Sequence, residues 1–123
     1  MKSILIVDDD RTVLDILTRA LKGYRVWAAR DPDEGLQVAL GLTALDLLIT
    51  DFMMPSMTGD ELLARVRATR PGVKVLILTG HAELLDAEKP SWWTSEAHLP
   101  KPVELQQVRA IVTELIGPPA DTR

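Results

Sequence analysis

The chain has 123 residues and a mass of 13.6 kDa, a size at which one domain buries a core without disulfides or a structural metal. Its 46% hydrophobic and 26% charged residues describe a globular chain, and the lack of cysteine removes disulfides, thiol catalysis and cysteine metal clusters. A formal charge of −4 without a basic run of five or more argues against direct nucleic-acid binding, and the apolar runs are too short to cross a bilayer.

Strand and helix patterns alternate along the chain. Ser3 to Val7 is a short apolar run suited to a strand buried on both faces. Val13, Leu14, Ile16, Leu17, Ala20 and Leu21 recur at helical spacing, with Gly23 as a stop. Tyr24 to Ala29 alternates and reads as an edge strand. Asp31-Pro32-Asp33-Glu34 opens a second helix that runs to about Gly41, with a capping aspartate and proline at the first helical position. Leu45 to Thr50 is a third strand, and Thr58-Gly59-Asp60-Glu61 is a capping box opening a helix toward Thr69. Val73 to Leu78 is a fourth strand. Ala82 to Lys89 makes a short fourth helix that Pro90 ends. Ala97 to Leu99 is a fifth strand, at an edge because Pro100 cannot donate to a ladder. Leu105, Val108, Val112 and Leu115 give the final helix.

This is a (βα)5 pattern: an α/β three-layer sandwich with a parallel five-stranded sheet between helices. The most apolar strands belong in the middle, which gives the flavodoxin-like order 2-1-3-4-5. The expected domain covers residues 1–117. Residues 118–123 (Pro-Pro-Ala-Asp-Thr-Arg) read as a disordered tail or the stub of a linker.

In such sheets ligands bind beyond the carboxyl ends of the strands. Strand one ends in Asp8-Asp9-Asp10, strand three in Asp51, strand four in Thr79 and strand five in Lys101, so the fold gathers acids, a hydroxyl and an amine on one rim. Neighbouring carboxylates at about 4 Å repel by about 1–4 kcal/mol per pair, which a hard cation relieves. Oxygen donors without cysteine suit Mg²⁺ better than zinc. Lys101 and Thr79 are donors suited to a phosphoryl group, and one carboxylate can serve as the nucleophile that forms an acyl phosphate. Asp10 fits a helix cap better than a ligand, and Asp46 a turn acid.

The carriers of a family resemblance are Ile4-Leu5-Ile6-Val7-Asp8-Asp9-Asp10, Asp51-Phe52-Met53-Met54-Pro55-Ser56-Met57-Thr58-Gly59, Leu78-Thr79-Gly80-His81 and Lys101-Pro102. Each block is weak alone; in this order and on these strand ends the chain resembles the receiver domain of two-component response regulators. The resemblance implies that Asp51 is the phosphoacceptor for a phosphohistidine on a sensor histidine kinase or histidine phosphotransfer protein. It implies that Asp8, Asp9, Asp51 and the Met53 backbone carbonyl hold Mg²⁺. Lys101 would bind a phosphoryl oxygen and Thr79 another, with a cis peptide between Lys101 and Pro102. Thr79 and His98 are the switch candidates; Met53 and His81 are candidate modulators of dephosphorylation. An output domain or protein partner and a homodimer are the further partners the family suggests. With one lysine, four apolar residues and three aspartates, the amino terminus does not read as a signal peptide, and a cytoplasmic location is expected.

Two departures stand out. His98 occupies the position where receivers usually carry Tyr or Phe, and the default role of a histidine there is structural. The stretch Pro90-Ser91-Trp92-Trp93-Thr94-Ser95-Glu96 stops the fourth helix and sets two tryptophans on a face that the family uses for partners. Both leave a pseudo-receiver, a binding module not regulated by phosphorylation, as the alternative. An aspartyl-phosphate hydrolase would need an acid two residues after the nucleophile, where Met53 stands. A flavin protein would need a Ser/Thr/Gly-rich phosphate loop where three aspartates stand.

Overall fold

The computed structural model describes residues 1–80 and 96–120. In chain order these residues form β1 (Ser3–Val7), α1 (Arg11–Ala20), β2 (Arg25–Ala29), α2 (Pro32–Gly41), β3 (Leu47–Asp51), α3 (Gly59–Thr69), β4 (Lys74–Thr79), β5 (Ala97–Pro100) and α4 (Leu105–Ile116). The five strands make one parallel sheet in the order β2-β1-β3-β4-β5, as the apolar content of the strands requires. The helix expected from Ala82 to Lys89, His81 and the Trp92-Trp93 pair lie outside the described residues.

Alternation along the central strands sorts the core into two layers. Ile4, Ile6, Ile49, Leu76 and Leu78 face α1 and α4, while Leu5, Val7, Leu48, Val75 and Ile77 face α2 and α3. Fully burying each such Leu, Ile or Val contributes about 1.5–3 kcal/mol, so the middle strands anchor the rim residues that follow them.

The helix starts are built as the sequence predicts at two places and differently at a third. Asp10 caps α1 by accepting from the Thr12 amide at 2.9 Å, and Asp31 caps α2 by accepting from the Glu34 amide at 2.8 Å. At α3 the Thr58 hydroxyl donates instead to the Glu61 carboxylate at 2.9 Å and makes no cap bond to the backbone. Asp46 is more than a turn acid: its Oδ2 accepts from the Ser3 amide at 2.8 Å and ties the starts of β1 and β3 together.

Residues 118–120 do not hang free. Ahead of them, the Tyr24 hydroxyl donates to the Gly117 carbonyl at 2.6 Å; the Ala120 amide donates to the Gly23 carbonyl at 3.0 Å. Gly23 has φ +94°, and a Cβ there would stand 2.5 Å from the Cβ of Pro119, so only glycine lets this segment close on the turn after α1.

Candidate functional site

Parallel register carries the strand ends to one edge of the sheet. Val7 pairs with Thr50, Asp51 with Leu78 and Thr79 with Pro100, which sets Asp8, Asp51, Thr79 and Lys101 on neighbouring strands at one level. Asp51 and Thr79 are the last residues of β3 and β4, not the residues beyond them, because the ladder runs one step further than the apolar runs. It even continues past the strands: the Asp8 amide donates to the Ala29 carbonyl at 3.1 Å, Phe52 to Leu78 at 2.9 Å and Lys101 to Thr79 at 2.9 Å. Such backbone bonds leave little freedom in where these side chains begin.

The loop after Asp51 is closed by Gly59, whose amide donates to the Phe52 carbonyl at 2.8 Å. A Cβ on Gly59 would stand 2.5 Å from the Asp51 carbonyl oxygen and 3.1 Å from the Phe52 Cα, so α3 can begin this close to β3 only with glycine. Within the loop Met57 is buried and Met54 packs against the core, as expected of loop methionines, but the Met53 side chain is 54% exposed.

Asp8, Asp9 and Asp51 each offer a carboxylate oxygen within 4.8 Å of the others. Asp8 is fully buried and Asp51 is 7% exposed, whereas Asp9 faces solvent. Lys101 Nζ lies 2.9 Å from Asp8 Oδ2 and 3.3 Å from Asp51 Oδ2. Asp8 Oδ1 accepts from the Asp10 amide at 2.9 Å. Asp8 Oδ2 faces Lys101 in that ion pair and, among the described residues, makes no hydrogen bond of good geometry.

The charges strain one another. Burial pushes the Asp8 carboxyl above its usual value, against the Asp10 amide and Lys101. Burial likewise raises Asp51, helped by the charge of Asp8 and opposed by Lys101. Burial alone would lower Lys101, but its close contact with the Asp8 carboxylate and the charges of Asp51 and Asp8 outweigh it, and its pKa is raised. Among the described residues, the buried Asp8 and Asp51, with Asp9 on the solvent side, face one amine, which leaves an excess of negative charge in a poorly solvated place. A buried carboxylate oxygen short of hydrogen bonds and an all-oxygen donor set fit a hard divalent cation.

The structure thus brings together Asp8, Asp9, Asp51 and Lys101, with Thr79 buried at the end of the adjoining strand. His98 is not part of this group: it lies three residues back along β5, opposite Ile77, with Nδ1 3.2 Å from the Glu96 carbonyl oxygen. His81 is outside the described residues. Sequence reasoning missed Arg67, which forks onto Glu96 at 2.7 and 3.1 Å; the 29-residue separation carries no local signal.

A family model for the response regulator receiver domain matches residues 4–113, which takes in every rim residue. The chain belongs to that family. Among curated relatives, the receiver is 36% identical over 98% of its length to the transcriptional regulatory protein GlrR of Escherichia coli, but spans only 28% of GlrR. The CheY-like receiver domain protein of Methanospirillum hungatei is 33% identical, with a TM-score of 0.80 over 93% of this chain and 92% of that one. The response regulator TrrA of Thermotoga maritima, solved in complex with Mg²⁺ and BeF, is 26% identical, with a TM-score of 0.80 over 94% of this receiver and 99% of TrrA. None of the described helices is long and apolar enough to cross a membrane.

Proposed function

We propose that this receiver is a phosphoacceptor switch in which Asp51 takes a phosphoryl group from a phosphohistidine. A carboxylate oxygen of Asp51 attacks phosphorus, the new O–P bond gives an acyl phosphate, and the P–N bond breaks with its electron pair kept by the donor imidazole. The donor is a sensor histidine kinase or a histidine phosphotransfer protein. Mg²⁺, held by Asp8, Asp9, Asp51 and the Met53 backbone carbonyl, supplies charge neutralisation for the phosphoryl oxygens. Lys101 stabilises a further oxygen, and the Thr79 hydroxyl closes onto the product.

The observation that supports this reading most directly is the convergence of Lys101 on both Asp8 and Asp51, at 2.9 and 3.3 Å. The full set of rim acids with Lys101 does not favour the pseudo-receiver alternative, in which the acids survive but signalling does not use them. The exposed Met53 side chain, in the loop just after Asp51, suits a residue that governs water access to the acyl phosphate. Thr79 and His98 carry the change outward, and the surface that responds meets an output domain, a separate protein or a second copy. Residues 1–117 form the switching unit in this reading, in the cytoplasm and without contacting nucleic acid itself.

Intact-protein mass after incubation with acetyl phosphate tests the proposal. One phosphoryl adduct that requires both Mg²⁺ and Asp51, and is lost in Asp51→Asn, supports it. No adduct at any time, early points included, overturns it.

A further inference from the structure

His98 stands where receivers usually carry Tyr or Phe. Its Nδ1 lies 3.2 Å from the carbonyl oxygen of Glu96, two residues back on the same strand. A carbonyl oxygen only accepts, so this contact is a hydrogen bond when Nδ1 carries the proton; the neutral ring then has its lone pair on Nε2.

Glu96 is itself fixed from outside the strand. Arg67 of α3 forks onto its carboxylate, Nη1 to Oε2 at 2.7 Å and Nη2 to Oε1 at 3.1 Å. The guanidinium is braced in turn, with Nε and Nη2 donating to the Val73 carbonyl at 3.2 and 3.0 Å, just ahead of β4. A planar fork held at both ends pins the entry of β5 in a way that a lysine's point charge would not.

We infer that the Arg67–Glu96 clamp positions the carbonyl that selects the Nδ1–H form of His98, making Arg67 a positioning residue for the switch. The inference rests on the switch role given to His98 above. It changes the chemistry of that role: an imidazole with a fixed acceptor nitrogen reports by hydrogen bonding at Nε2, which phenylalanine cannot do.

The test is the ¹⁵N signature of the His98 ring in the full chain at a pH where the ring is neutral. Wild type is expected to show protonated Nδ1 and unprotonated Nε2. Glu96→Ala keeps the backbone carbonyl and the Arg67–Val73 bonds, so circular dichroism should stay native while the two ring nitrogens move toward averaged shifts. Arg67→Ala should do the same, and the charge reversal Arg67→Glu with Glu96→Arg should restore the single form. Wild type with the proton on Nε2, or Glu96→Ala with an unchanged ring, overturns the inference. Ring shifts that ignore acetyl phosphate and Mg²⁺, although Asp51 forms its adduct, overturn the switch role while the tautomer result stands; the two failures are thereby separable.

Discussion

The ammonium of Lys101 lies 2.9 Å from Oδ2 of Asp8, a carboxylate fully removed from water. Taking the ammonium away leaves that charge without the cation paired with it, the situation in which removing half of a buried pair does most harm. Lys101→Ala is expected to cost about 1–3 kcal/mol in urea unfolding, less than for a wholly buried pair because Asp8 can take up a proton. Acetyl phosphate should still label Asp51, since the nucleophile and the acids remain, but about tenfold to a hundredfold more slowly. Equal labelling rates in variant and wild type would remove Lys101 from the chemistry.

Asp8 and Asp51 both have folded-state pKa values raised by burial. The sign follows from linkage: the native state holds these protons more tightly than the unfolded chain. Their contribution is thus fully present below the ordinary carboxylate value near 3.8 and is lost as pH rises through the raised values. Without divalent cation, Asp51→Asn should raise the midpoint of thermal unfolding at neutral pH by about 3–6 °C, the shift that about 1 kcal/mol produces at this size. Mg²⁺ should raise the wild-type midpoint and barely move that of the variant. A lower midpoint for Asp51→Asn in chelator would mean that the Lys101 contact outweighs the repulsion.

What the sequence made legible was whatever local chemistry dictates. Apolar runs placed the strands and their order, and the short polar side chains Asp10 and Asp31 marked helix starts because their cap bonds reach only two or three residues. The acids and Lys101 could be placed on one rim because parallel strands align their carboxyl ends. Thr58 was misjudged: a cap needs its hydroxyl oxygen to accept from a backbone amide, and the hydroxyl instead donates to the Glu61 side chain. Bonds between distant residues left no trace in the pattern, as with Arg67 to Glu96 and Tyr24 to Gly117, 29 and 93 residues apart.

Gly59 joins the fold to the site. An added Cβ would press on the Asp51 carbonyl oxygen at 2.5 Å and the Phe52 Cα at 3.1 Å, and neither backbone atom yields easily. Gly59→Ala should therefore push the start of α3 away from β3, at about 1–3 kcal/mol in urea unfolding. The displacement reaches the loop that carries Met53, so adduct formation at Asp51 should slow as well. Ala substituted at Gly72, where a Cβ meets nothing within 4 Å, is the matched control and should leave labelling unchanged. If both variants label at the wild-type rate, the close approach has no bearing on the site.

Arg70, at the carboxyl end of α3, serves the neighbouring helix. Its Nε donates to the Ala39 carbonyl at 2.9 Å and its Nη2 donates to the Leu42 carbonyl, so one guanidinium satisfies acceptors that the end of α2 leaves open. The positive charge also opposes the partial negative charge at that helix end, where α2 has no basic residue of its own in the last turn. Arg70→Ala removes both effects and should cost about 1–3 kcal/mol. Amide exchange should rise first in the last turn of α2, while the amides of β1 and β3 keep their protection until global unfolding. Arg70→Lys should recover less than half of the loss, because an ammonium cannot span two carbonyls three residues apart as a fork does. The rim is carried by other strands, so labelling of Asp51 should not change; slower labelling in Arg70→Ala would show that α2 supports the site as well as the core.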